Sequence, residues 1–219
     1  MSSSMKKQSI DYSLIAASHH EAGHCLVALL NLIQVSDVGV AIDGSDAVGL
    51  TQFYMYKNTV IEDRELHELL VLSDLLVAYA GLQAERLYYK DICGSSKFPL
   101  HLKVGSAEDT ASAYKLIRTN NLAAPGKETS VLKKKLQSEV EQMLIAYWDD
   151  IKLVAHQLYK RRRLYYRDLK NILARAPNEN RLFWKAQFKT INFIHHDTKV
   201  PEEQEVKEAL HKNAATIIR

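Results

Sequence analysis

The chain reads as a mainly α-helical domain of the α+β class with one small β-hairpin or sheet. Three observations predict it. Apolar residues recur every three or four positions over most of the sequence, the pattern of helices that bury one face. One interruption, Val35–Ile42 and Val48–Tyr54, is rich in β-branched and aromatic residues, and Asp43-Gly44-Ser45-Asp46 between its halves supplies hairpin turn chemistry. A hydrophobic share of 47% with 25% charged residues is that of an ordinary globular protein, so 219 residues suffice for one substantial core.

The elements follow in order. Residues 1–10 read as a flexible tail. A helix runs from about Tyr12 to Leu32, with Ser13 as N-cap and Ile15, Ala16, Leu26, Val27 and Leu30 as apolar positions. Gly23 inside it costs about 1 kcal/mol relative to Ala, which predicts a close neighbour there. After the hairpin, Ile61–Lys90 is helical on Leu66, Leu69, Leu70, Leu75, Leu76, Ala80, Ala84 and Leu87, and Gly81 marks a break or a tight contact. Asp91–Val104 is a loop, Ser106–Arg118 a helix, and Pro125-Gly126 closes the next loop. Thr129–Tyr159 reads as one long helix, striped by Leu132, Leu136, Val140, Met143, Leu144, Tyr147, Ile151, Val154 and Leu158. A shorter helix, Tyr166–Ala174, ends before Pro177. Residues 11–177 thus form the main domain. Residues 178–219 form a charged C-terminal extension, with a helix at Pro201–Lys212.

Several function classes drop out on composition. A net charge of +3 gives no strong nucleic-acid signal. The sharpest basic run, Lys160-Arg161-Arg162-Arg163, suits the C-terminal end of a helix, where cations meet the dipole. No apolar run reaches the length of a membrane span, and the N-terminus lacks a signal-peptide core. The two cysteines, Cys25 and Cys93, make no disulfide framework, which predicts a reducing, cytoplasmic setting. Gly44–Thr51 has P-loop spacing, but Leu50 stands where the phosphate-binding lysine belongs and the segment lies in a hairpin, so no nucleotide site is expected.

The chemistry concentrates in His20-Glu21-Ala22-Gly23-His24, an HExxH pattern. On a helix, positions i and i+4 lie about 40° apart, so both imidazoles face one point. Glu21 beside them is placed to act as general base on a metal-activated water. A chain of this composition would hold about 0.02 copies of the pattern by chance. His19 points to another face and reads as a bystander, and His195-His196-Asp197 as a solvated pair in the extension. A catalytic zinc takes three protein ligands and keeps one position open. Glu85, His101, Glu108 and Asp109 are all candidates for the third, and spacing does not choose among them.

Four segments resemble the peptidase domain of the FtsH-type AAA zinc metalloproteases. His20–His24 with Cys25-Leu26-Val27-Ala28 resembles that family's HEAGHALVA run. Val48-Gly49-Leu50-Thr51-Gln52-Phe53 is similar to its ALGxTxF strand. Ala80-Gly81-Leu82-Gln83-Ala84-Glu85-Arg86-Leu87 resembles its GGRxAEEL helix, and Gly105-Ser106-Ala107-Glu108-Asp109 falls where it has GA(S/E)ND. The order is the same throughout. The departures are Leu82 for the family's arginine, Arg86 for its second glutamate, a longer Asp91–Val104 loop and the Ala-Glu-Asp-Thr setting of Asp109.

The resemblance implies a zincin-like, FtsH-peptidase-like helical domain. It implies one Zn2+ held by His20, His24 and Asp109, Glu21 as the base and Glu85 behind the ligands. The strand Val48, Gly49, Leu50, Thr51, Gln52, Phe53 is then the place where a polypeptide substrate lies. The sequence shows neither the family's ATPase module nor its membrane anchor, so the chain is expected to be ATP-independent in itself, with any unfoldase or adaptor a separate protein. The resulting expectation is zinc-dependent peptide-bond hydrolysis. The competing reading is a peptidase-derived binding or regulatory protein that retains the metal without useful turnover. A nucleic-acid adaptor built on the basic run stands third.

Overall fold

The computed structural model describes residues 3–44, 46–54, 61–91, 94, 107–123, 126–176, 179–196 and 201–217. Its helices are α1 (Ser3–Leu30), α2 (Arg64–Asp91), α3 (Ala107–Thr119), α4 (Lys127–Ala146), α5 (Trp148–Arg161), α6 (Tyr166–Leu173), α7 (Arg181–His196) and α8 (Glu203–Ile217). Strands β1 (Gln34–Asp43), β2 (Asp46–Tyr54) and β3 (Arg163–Tyr165) form one antiparallel sheet in the order β2-β1-β3. The chain is therefore mainly helical with a small sheet. Among the described residues, no helix is long and apolar enough to cross a membrane.

Helix α1 is the axis of the molecule. Every residue from Ser18 to Leu30 is buried, and a helix covered on all sides belongs in the core. Helices α2 and α5 and both hairpin strands pack around it. The inward face of the sheet contributes Val35, Val38, Val40 and Leu164 to the same core. Helices α1 and α2 run antiparallel and very close. A Cβ at Gly23 would lie 2.5 Å from Ala84 Cβ and 2.9 Å from Ala80 O, so only glycine permits the approach. This is the close neighbour that the helix-interior glycine predicts.

Three features ahead of the C-terminal segment differ from the sequence expectation. Helix α1 starts at Ser3, within the segment expected as a tail. The expected long helix at Thr129–Tyr159 is two helices, separated at Tyr147 (φ −115°, ψ 24°). There the ring lies against Phe183 and Trp184 at 5.4 and 5.6 Å between centroids. The i→i+4 bonds on either side persist, Tyr147 N to Met143 O and Ile151 N to Tyr147 O, so the apolar stripe continues through the kink. Of the two expectations for Gly81, the tight contact holds and the break does not, since α2 runs through it. Strand β3 follows Arg162, whose left-handed φ of 67° ends α5.

The largest difference is the C-terminal segment. Residues 178–219 are expected as an extension, yet Trp184, Phe188, Ile191, Ile194, Val206 and Leu210 belong to the main core. Helix α7 also serves α1 directly. Gln187 Nε2 donates to Leu29 O at 2.8 Å and Leu30 O at 3.0 Å, and His195 Nε2 bonds Leu32 O at 3.0 Å. From α8, Asn213 Nδ2 donates to Leu30 O. These side chains satisfy carbonyls that a helix end leaves without partners. His195 is therefore buried and engaged, contrary to the expectation of a solvated pair.

Candidate metal centre

The elements converge at one point. Helix α1 supplies His20, Glu21 and His24, α2 supplies Glu85 and the backbone at Val77 and Gly81, the first turn of α3 supplies Asp109, and β2 supplies Gly49 and Thr51. His20 Nε2 lies 3.1 Å from Asp109 Oδ2 and 3.1 Å from His24 Nε2, and His24 Nε2 lies 3.3 Å from Asp109 Oδ2. Ligand atoms about 2.0–2.1 Å from a tetrahedral ion stand about 3.3 Å apart. The three atoms thus span a triangle the size of one face of a zinc tetrahedron. Two nitrogens and one oxygen are also a donor set that zinc accepts.

The back of each imidazole is tied down. His24 Nδ1 lies 2.8 Å from Val77 O, a carbonyl that only accepts, so the proton sits on Nδ1 and the Nε2 lone pair faces the cluster. His20 Nδ1 lies 3.2 Å from Glu85 Oε2, the carboxylate–histidine arrangement that fixes a ligating ring and raises its basicity. Glu85 itself is buried. This places it behind His20 rather than on the ligand side, which separates it from Asp109 as a ligand candidate. Glu108 is exposed, and His101 lies outside the described residues.

Position 81 of α2 has no room for a side chain. A Cβ there would lie 2.5 Å from His20 Cδ2 and closer still to Nε2 of both histidines. Gly49 does the same for the neighbouring carboxylate, since a Cβ would come within 2.6 Å of Glu21 Cδ. Each glycine leaves a hollow against a reactive side chain.

The electrostatics favour a cation. Burial opposes a charge on His20, but hydrogen bonds to Asp109 and Glu85 and the charge of Glu21 outweigh it and raise its pKa to about 10. Burial likewise would raise Asp109, yet its hydrogen bonds to His20 and His24 hold it well below the usual carboxylate range. The cluster draws a positive charge to itself. A metal cation would meet the same demand and would displace the proton on binding.

Glu21 is buried between α1 and β2. Thr51 Oγ1 donates to its Oε2 at 2.6 Å, which fixes the carboxylate beside the histidines without using it as a ligand. The other groups singled out by sequence lie elsewhere. His19 bonds Ile15 O at 2.8 Å and stacks on Tyr88 at 4.4 Å. In the basic run, Arg161 pairs with Asp168 at 2.7 Å, Arg163 with Asp37 at 2.9 Å, and Arg162 lies over Tyr159.

His20, His24 and Asp109 form the one group of three or more potential ligands that closes on a single point among the described residues. No family model matches this chain, and no curated protein matches it. What sequence reasoning overlooks is the roles of Gly49, Gly81, Thr51 and the Val77 carbonyl. Both glycines stand in motif segments, but only the folded contacts give the reason.

Proposed function

We propose that the chain is a zinc-dependent metalloendopeptidase, a zincin-like domain of FtsH-peptidase type. The observation that carries the proposal is the triangle of His20 Nε2, His24 Nε2 and Asp109 Oδ2, with edges of 3.1–3.3 Å, beside the buried Glu21 carboxylate. A zinc ion held there supplies Lewis acidity, polarising a scissile carbonyl and making water easier to deprotonate. Glu21 takes the water proton and delivers it to the leaving amine, so two peptides form without a covalent intermediate. Glu85 and the Val77 carbonyl keep the two rings aimed during this step.

The substrate lies along β2. This strand is the edge of the sheet, and an extended peptide adds to such an edge by main-chain hydrogen bonds. Thr51 and Gly49 connect that edge to Glu21. The substrate must arrive extended, so a separate unfolding ATPase or adaptor is the partner this arrangement calls for. The buried free thiol of Cys25 suits a reducing, cytoplasmic setting.

The test is hydrolysis of a permanently unfolded protein before and after chelation. Activity is expected to vanish with the chelator and to return with one equivalent of zinc. Zinc bound with no cleavage would instead support the non-hydrolysing, metal-holding alternative. Cleavage indifferent to chelation would remove the metal from the mechanism.

A further inference from the structure

The register of the sheet shows which groups β2 offers to a peptide. Val40 N–H donates to Arg162 O at 2.8 Å, on the β3 side of β1. Main-chain groups of successive residues in a strand point to opposite neighbours. Gly39 and Ala41 therefore point to β2, where their partners are Leu50 and Val48. Gly49 and Thr51, opposite Val40 and Val38, point away from β1 to the outer edge, where no described strand pairs. Ala47 agrees, since its N–H leaves the ladder and donates to Ser13 Oγ at 3.2 Å.

Side chains alternate between the faces of the strand. Gly49 and Thr51 lie on the α1 face against Glu21. Val48 and Leu50 lie on the other face and are 47% and 61% exposed. Large apolar side chains on the open face of an edge strand invite pairing, a hazard unless they serve a partner.

Added antiparallel, as the existing pairs of this sheet are, a peptide bonds the main chain of Gly49 and Thr51. Its residue opposite Gly49 faces Glu21. Its residues opposite Val48 and Leu50 fall in non-hydrogen-bonded pairs, where Cα atoms approach to about 4.5 Å and side chains touch most closely. We infer that Leu50 and Val48 determine specificity, selecting extended polypeptides with aliphatic or aromatic side chains at two positions separated by one residue. The intervening residue is the one presented toward Glu21. The inference rests on the reading of the site as one that hydrolyses peptides.

The experiment measures binding separately from cleavage. Zinc-loaded Glu21→Gln protein is titrated with two fluorescent peptides that differ only in carrying Leu-Ala-Leu or Ser-Ala-Ser at the centre. The apolar peptide is expected to bind about fivefold tighter. Replacing Val48 and Leu50 together with Lys should erase that difference, and Leu50→Met should keep it. Equal binding of the two peptides, no binding of either, or a preference that survives the double lysine replacement would overturn the inference. Hydrolysis by the wild-type protein is read independently: cleavage without the apolar preference refutes the specificity alone, and preferential binding without cleavage refutes the peptidase reading alone.

Discussion

Glu21→Gln is expected to slow peptide hydrolysis by roughly 10²–10⁴-fold while leaving one zinc per chain. Glutamine has the shape of glutamate and still offers an oxygen to Thr51 Oγ1, now 2.6 Å from the carboxylate. It cannot accept the water proton. The ligand atoms belong to His20, His24 and Asp109, so metal affinity should change little. Steady-state cleavage of an unfolded protein, run beside metal analysis of the same samples, reads both halves. Unchanged hydrolysis would exclude Glu21 as the base. Lost zinc would mean that its carboxylate binds the ion.

Gly81→Ala is the second large effect, and its sign opposes the usual one. In a helix interior, Gly→Ala ordinarily stabilises by about 1 kcal/mol. At position 81 the added methyl would occupy the hollow against both Nε2 atoms, 2.5 Å from His20 Cδ2. Either the rings turn away or α1 and α2 separate, and their spacing is already set by Gly23 against Ala84 and Ala80. Zinc affinity is expected to fall by about 100-fold or more, at least the cost of disturbing the groups that aim a ligand. Thermal melting with and without zinc measures this, because a ligand that binds only the folded state raises the melting temperature by an amount that grows with the logarithm of its affinity. The variant should lose the zinc-dependent rise. A wild-type rise would show that the hollow is unrelated to the metal.

Much of the site was legible because its parts are local. HExxH needs only helical periodicity to bring His20 and His24 to one point, and α1 is helical there. The hairpin followed from composition and turn residues, and its strands lie within one or two residues of the expected bounds. Asp109 was different. It is 89 residues from His20, and spacing alone left it equal to Glu85, Glu108 and His101. Only the docking of α3 against α2 brings it to the two Nε2 atoms, while Glu85 reaches the opposite nitrogen of the His20 ring.

The rest was hidden for reasons that are physical rather than accidental. Trp184, Phe188, Ile191 and His195 recur at helical spacing, but the surrounding lysines and arginines made the segment look like a solvated extension. Its burial comes from tertiary contacts, including Gln187 on the carbonyls of Leu29 and Leu30. The kink at Tyr147 leaves the apolar stripe in phase, so periodicity carries no trace of it. Three-residue β3 is too short for any period and exists because β1 offers it a partner at Asp37, Val38 and Gly39. The charge of the basic run said nothing of Asp168 and Asp37, which meet Arg161 and Arg163 only in the fold.

The most direct test of the proposed metal centre is X-ray absorption at the zinc edge of the purified, zinc-loaded protein. The structure predicts a low-coordinate shell of nitrogen and oxygen at about 2.0–2.1 Å, with two imidazole contributions and no sulfur. That shell corresponds to His20, His24 and Asp109 with one further light-atom position. A thiolate distance near 2.3 Å, a six-oxygen shell, or a protein that retains no zinc would contradict it.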